Sequence, residues 1–296
     1  MAFTAFSAQT SAAEPAAKRR SPIALFLLLP GILYLILFFV TPLISLVITS
    51  FQEPDPVRFG SFVNAFRWEN YGEQSLRSAG FAALATLFAL LIGFPLGYFI
   101  GITLRPYPLL QGLALVLVIA PFFISFLLRT LAWKQIFSDE GPIAGVLGAL
   151  AILPPGQAIT GTAFSVIFGL TYNFVPFMTL PIYATLASLD LRLLEAGNDL
   201  YGSPAVTFRT VTLPLSAAGV MSGTLLTFIP AAGDYINASR EFLGSTDTTM
   251  IGNVIETNFL VLQNFPAAAA LSLVLMAAIL ILVSLYVRRS GTEELL

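Results

Sequence analysis

Six long stretches without a charged side chain divide this sequence, and they decide which solvent it folds in. They run from Ser21 to Gln52, Ser78 to Leu104, Pro106 to Leu128, Gly141 to Leu189, Thr210 to Gly233 and Thr257 to Val287. A helix needs about 20 apolar residues to cross the hydrocarbon core of a bilayer, and each stretch is long enough. The longest is interrupted by Pro154-Pro155-Gly156. Its first part, Ile143–Leu153, is too short to span and is expected to lie as a helix at the interface. Six crossings result, at about 23–50, 77–101, 109–132, 160–186, 213–233 and 266–287. Only 10% of the 296 residues are charged, against about 25% in a soluble domain. So few charges cannot clothe a globule in water. The expected fold class is an all-α integral membrane protein.

Basic residues at the ends of the spans set the orientation. Lys18-Arg19-Arg20 precede the first span and Arg288-Arg289 follow the last, which places both termini in the cytoplasm. Residues 1–20, rich in Ala and Ser, read as a disordered cytoplasmic tail, with a short second tail at 291–296. The first apolar run is too long for the 7–15-residue core of a signal peptide, and no small-residue cleavage site closes it. It reads as a retained helix. The external loop at about 52–75 carries Phe59, Phe62, Phe66, Trp68 and Tyr71, which suit either a docking surface or anchors in the membrane interface.

Cys and His are absent, which excludes thiolate and imidazole metal sites, disulfides and histidine proton relays. The only lysines are Lys18 and Lys134, and neither closes a phosphate-cradling G-x-x-x-x-G-K-[ST] loop. Any ATP that drives this chain is bound by another subunit. No acids, bases or nucleophiles converge at membrane depth, so a membrane enzyme is disfavoured. An ion-coupled secondary transporter is the other rival, but it would place ionisable groups near the midplane.

The connection between the fourth and fifth spans, residues 188–214, is written as two short helices around a corner. Asp190 suits an N-cap. Gly202 suits the left-handed position past a helix end. Ser203-Pro204 suits a second N-cap with proline at the first helical position, and Pro214 stands where the chain re-enters the membrane. Capping at both ends makes a rigid lever.

Leu194-Glu195-Ala196-Gly197, followed by Val211-Thr212-Leu213-Pro214, resembles the cytoplasmic signature of ABC-importer permeases. Two positions depart from it: Gly197 replaces an Ala, and Tyr201 replaces the family Gly, leaving Gly202 displaced by one. Further blocks resemble the PotB-type permeases of spermidine/putrescine importers: Ala120-Pro121-Phe122-Phe123, Arg129-Thr130-Leu131-Ala132-Trp133, Tyr172-Asn173-Phe174-Val175-Pro176, Phe228–Tyr235 and Ile251-Gly252-Asn253. The resemblance implies a six-helix type I importer permease in a bacterial inner membrane. It implies a sister permease, two ATPase subunits that carry ATP and Mg, and an external binding protein, with no nucleic-acid partner and no cofactor on this chain. It also implies that the helix bearing Glu195 docks in a cleft of the ATPase, with Gly197 keeping that face small. Polyamines are the expected substrate, with amino acids, aminophosphonates and iron complexes as alternatives.

Two readings stand for each remaining polar residue. Arg129 and Trp133 suit interfacial anchoring or gating. Asn173, beside Tyr172, suits an interhelical hydrogen bond or a group lining the pathway. Asp234 and Tyr235, ending the fifth span, suit a solvated acid or an ammonium-attracting pair at an aqueous mouth.

Overall fold

The computed structural model describes residues 22–52, 60–150, 154 and 157–290. The two expected tails, Phe59 and the Pro155-Gly156 part of the interruption lie outside these. In chain order the helices are α1 (Pro22–Leu35), α2 (Thr41–Thr49), α3 (Gly60–Phe66), α4 (Trp68–Tyr98), α5 (Pro108–Ile119), α6 (Phe126–Phe137) and α7 (Pro142–Ala149). They continue as α8 (Ala163–Ser188), α9 (Leu191–Tyr201), α10 (Pro204–Thr207), α11 (Leu213–Leu215), α12 (Ala217–Ala232), α13 (Ile251–Glu256) and α14 (Phe265–Ser290). A π-helical turn at Ile36–Val40 joins α1 to α2 in one apolar rod, which as far as Ile48 belongs to a first unit. The second unit runs from Thr49 onwards.

Among the described residues, four helical segments are long and apolar enough to cross a membrane: Leu27–Thr49, Glu69–Thr103, Ala163–Ser188 and Phe265–Arg288. Two bent pairs raise the number to as many as six. Pro108–Phe123 and Phe126–Ala149 meet at 92°, and Pro204–Leu215 and Ala217–Ala232 at 63°. The third crossing expected at 109–132 is thus broken within its length. The helix stops at Phe123, and Ile124 and Ser125 take extended ψ values of 136° before α6 begins. Pro121 lacks an amide hydrogen to continue the α-helical ladder, which tightens into a 3₁₀ turn over Ala120–Phe123. The fifth span is likewise bent at Ser216, two residues after Pro214. Within the loop expected at 52–75 the chain is helical from Gly60, and α4 begins at Trp68, well before the expected start of the second span.

The centre of the second unit is α8, held between α4 and α12. Lipid offers no hydrophobic force between helices, so close packing of small residues must supply the attraction. A methyl added at Gly97 would meet Ile182 Cγ2 at 2.9 Å, and one added at Gly223 would meet Met178 Sδ at 2.8 Å. Both helices thus approach α8 at nearly backbone distance. One buried cluster joins Ala82 and Ala85 of α4, Val166, Leu170 and Phe174 of α8, and Ala231 and Ala232 of α12. A second, towards the other end of α8, joins Ala89 to Met178, Ile182 and Leu186.

Candidate functional site

In the loop between α8 and α12 the Asp190 cap and the Gly202 stop form as read, whereas the Ser203 side chain makes no capping hydrogen bond. The Asp190 carboxylate accepts the Arg192 N–H at 3.0 Å and starts α9. Gly202 ends it at φ +61°, where a side chain would be strained, and its N–H closes the last turn on the Asn198 carbonyl at 2.8 Å. α10 then opens with Pro204 at its first position. Two faces of α9 separate cleanly. Leu194 and Gly197 are buried, whereas Leu193, Glu195, Ala196, Leu200 and Tyr201 are exposed. Leu193, Ala196 and Leu200 form an outward apolar stripe at helical spacing.

Gly197 is turned inward. A methyl group at this position would come within 2.8 Å of Thr207 Cγ2 and 3.1 Å of Val211 Cγ2. Its smallness lets α9 close against the segment that follows α10, so the docking face inferred for Gly197 is instead an internal seam. The outward face is the one carrying Glu195 and Ala196. The Thr207 hydroxyl is held within its own turn, donating to the Ser203 carbonyl at 3.2 Å.

At the other end of the α8–α12 pair lies a buried chain of polar side chains. Asp234 follows α12, and its Oδ1 accepts the Asn237 N–H at 2.8 Å. Its Oδ2 accepts the Asn237 Nδ2 group at 3.1 Å. Asn237 Oδ1 in turn accepts from Asn173 Nδ2 at 3.3 Å, and the same nitrogen donates to Thr130 Oγ1 at 3.3 Å. The chain thereby links the turn after α12, the middle of α8 and the first turns of α6. Asn253 ties α13 to it by donating to the Tyr235 carbonyl at 2.5 Å.

These contacts revise several expectations. Asp234 is not at an aqueous mouth: it is buried, and burial pushes its carboxyl up to about 6, against which the Asn237 hydrogen bonds act. Tyr235 is exposed, so acid and ring do not form one ammonium site. Asn173 is fully buried; its amide nitrogen makes an interhelical hydrogen bond to Thr130 of α6 and a second bond to Asn237, while its Oδ1 has no partner among the described residues. Tyr172 points elsewhere, lining an apolar cavity of about 470 Å³ with Leu96, Phe99, Ala114, Pro121 and Phe168. Trp133 packs edge-on against Phe168 and Tyr172, at 4.6 and 5.2 Å, which is helix–helix packing. Arg129 is buried too, its guanidinium over the Phe126 ring at 5.7 Å. Asn237, the hub of the chain, had escaped sequence reasoning. Its only signal is a position three residues after Asp234, the reach of an acid that caps a turn.

No family model matches the chain. It is 32% identical over 262 residues to the spermidine/putrescine transport system permease protein PotB of Haemophilus influenzae, covering 86% of this chain and 90% of that one. To the PotB protein of Escherichia coli K12 it is 33% identical over 265 residues, covering 87% and 94%. Its fold is similar to a chain in the crystal structure of a bacterial ABC transporter that imports the acidic polysaccharide alginate. The TM-score is 0.71 at 18% identity, over 92% of this chain and 96% of that one. A related structure, in complex with an alginate pentasaccharide-bound periplasmic protein, gives 0.72 at 17% identity. With whole-length relatives of this kind and the importer fold, the chain belongs to the PotB family of ABC-transporter permease proteins.

Proposed function

We propose that this chain is one of two membrane subunits through which an ATP-driven importer passes polyamines of the spermidine and putrescine class into the cytoplasm. Similarity to PotB proteins over most of the chain is the observation that carries the substrate class. A polyammonium ion cannot cross bare lipid, so it travels between helices that open alternately to each side. The termini and the α9–α10 loop lie in the cytoplasm, a reading that Lys18-Arg19-Arg20 and Arg288-Arg289 support. Separate ATPase subunits hold ATP and Mg. They engage the outward stripe of Leu193, Ala196 and Leu200 with Glu195 beside it, and an external binding protein delivers substrate to the opposite face. Movement of the ATPases swings α9 and α10. Because these hang from the ends of α8 and α12, the motion reaches the Asp234–Asn237–Asn173 chain.

The test is co-purification with the ATPase, sister permease and binding protein encoded beside it, then reconstitution in liposomes. Spermidine or putrescine should stimulate ATP hydrolysis and accumulate inside. Hydrolysis by this chain alone would overturn the division of labour. Stimulation by another solute, with none by polyamines, would overturn the substrate.

A further inference from the structure

The interruption between α5 and α6 sits deep in the membrane. The Phe122 ring meets Phe177 at 4.9 Å and the Phe126 ring meets Phe174 at 6.2 Å. Phe174 and Phe177 lie at the middle of the 26-residue α8. At about 1.5 Å per residue, α8 is longer than the roughly 30 Å hydrocarbon core, so its middle is near the midplane. Ile124 and Ser125 are therefore non-helical backbone at mid-membrane depth. Around them the Ile124 N–H reaches the Pro121 carbonyl at 3.1 Å and the Ser125 carbonyl takes the Arg129 N–H at 3.1 Å. Among the described residues no hydrogen bond reaches the carbonyls of Phe122, Phe123 or Ile124, and the Ser125 hydroxyl caps nothing. The segment is open, with Phe123 87% and Ile124 53% exposed. Lipid cannot satisfy such groups; irregular backbone at this depth is tolerated only against protein or water.

A second observation gives this place a sign. Arg129, in the first turns of the 12-residue α6, is only 7% exposed, and its Nε and Nη1 have no hydrogen-bond partner. Its guanidinium lies over the ring of Phe126, the first residue of α6, as expected for helix side chains that lean towards the N-terminus. The charge thus adds to the positive end of the α6 dipole. No described acid pairs with it; the ion pair found joins Glu73 and Arg77.

We propose that the break at Ile124–Ser125 lines the water-filled translocation route at mid-membrane depth, and that Arg129 with the open N–H groups of α6 makes it a positive step. An arginine and a half-helix N-terminus are the groups that hold back protons and small cations in narrow pores. In an importer of cations the step opposes leakage of small ions and keeps the cargo from resting at mid-depth. The inference rests on the chain's acting as a permease, and its test does not depend on the cargo.

The chain contains no cysteine, so a single introduced thiol reports its own surroundings. Ser125→Cys in the assembled, liposome-embedded transporter is treated with two membrane-impermeant methanethiosulfonates, one bearing trimethylammonium and one bearing sulfonate. Gln157→Cys, in an exposed connecting segment, normalises reagent reactivity, and Leu280→Cys, on the unbroken apolar α14, is the lipid-facing reference. Ser125→Cys should label, with a normalised preference for the sulfonate of several-fold. Arg129→Gln should bring that preference back towards the Gln157→Cys value, whereas Arg129→Lys should keep it. Absence of labelling at Ser125→Cys while polyamine transport proceeds would overturn the route. Labelling without anion preference, or a preference indifferent to Arg129→Gln, would overturn the positive step. Should the labelling pattern hold while polyamines fail to stimulate ATP hydrolysis, the substrate reading falls and the positive step stands.

Discussion

Asn173 donates its side-chain amide to Oδ1 of Asn237 at 3.3 Å, joining the middle of α8 to the turn that follows α12. Both residues are fully buried. The bond ties α8 to the segment that continues from α12, at the end away from the α9–α10 loop.

Asn237→Leu should therefore be among the more damaging single changes outside the loop. It removes the acceptor for Asn173 and one donor to the buried Asp234 carboxylate. Leaving buried polar groups unpaired costs about 1–3 kcal/mol. The purified complex should melt several degrees lower. Equal melting of wild type and Asn237→Leu would show that the chain carries no stability.

Asp234 predicts a pH dependence of definite sign. Its carboxyl is raised from 3.8 to about 6 in the fold, so the native state binds the proton more tightly than the unfolded chain. Its contribution to stability is then fully present below 3.8 and is lost as pH rises through about 6. Asp234→Asn should flatten that part of the melting profile. Because the group is buried, added salt should alter its effect little. A half-saturating polyamine concentration that rises only at low salt in Asp234→Asn would restore the exposed-acid reading.

Gly197→Leu and Ala196→Leu separate the two faces of α9. The first drives a side chain into Thr207 and Val211, and such overpacking costs typically 1–3 kcal/mol. Limited proteolysis within residues 188–216 should quicken even without the ATPase. Ala196→Leu leaves the loop protected and changes only its affinity for the ATPase. If Gly197→Leu resists protease like wild type but loses the ATPase, Gly197 faces the partner after all.

Glu195→Ala should lower transport and partner-stimulated ATP hydrolysis together, by roughly the loss of one charge-assisted contact, ~1.5–3 kcal/mol. The level of inserted protein should not change, since the side chain is exposed. Normal transport would reduce Glu195 to a solvated charge.

The loop between α8 and α12 could be read from sequence because its signals are local. Asp190, Gly202 and Ser203-Pro204 act on backbone within a few residues. The charge-free stretches likewise identify the long helices, since length and apolarity are summed along the chain. What escaped reading depends on which face a residue turns. Gly197 is small for either a seam or a docking face, and only the position of Thr207 and Val211 decides between them. Asp234 looks exposed because an acid ends an apolar stretch, yet Asn237 and the packing of α13 draw it inside. The break after Phe123 was hidden because Pro121 is compatible with an unbroken membrane helix, and only the direction of α6 reveals the stop.

The burial of α8 between α4 and α12 bears on how the protein is made. Of the four long segments, Ala163–Ser188 is the least apolar and the most enclosed. Its Asn173, Thr171 and Thr179 are buried against protein rather than exposed to acyl chains. α4 leaves the ribosome before it, but α12 and Asn237 emerge only after the α9–α10 loop. Until then the Asn173 amide has Thr130 of α6 as its partner but lacks Asn237. During synthesis it must wait beside α4 or inside the insertion machinery, and α12 releases it by completing its surroundings. Slowing translation between Leu189 and Ser216 should therefore expose α8 to quality-control proteases more than any other span.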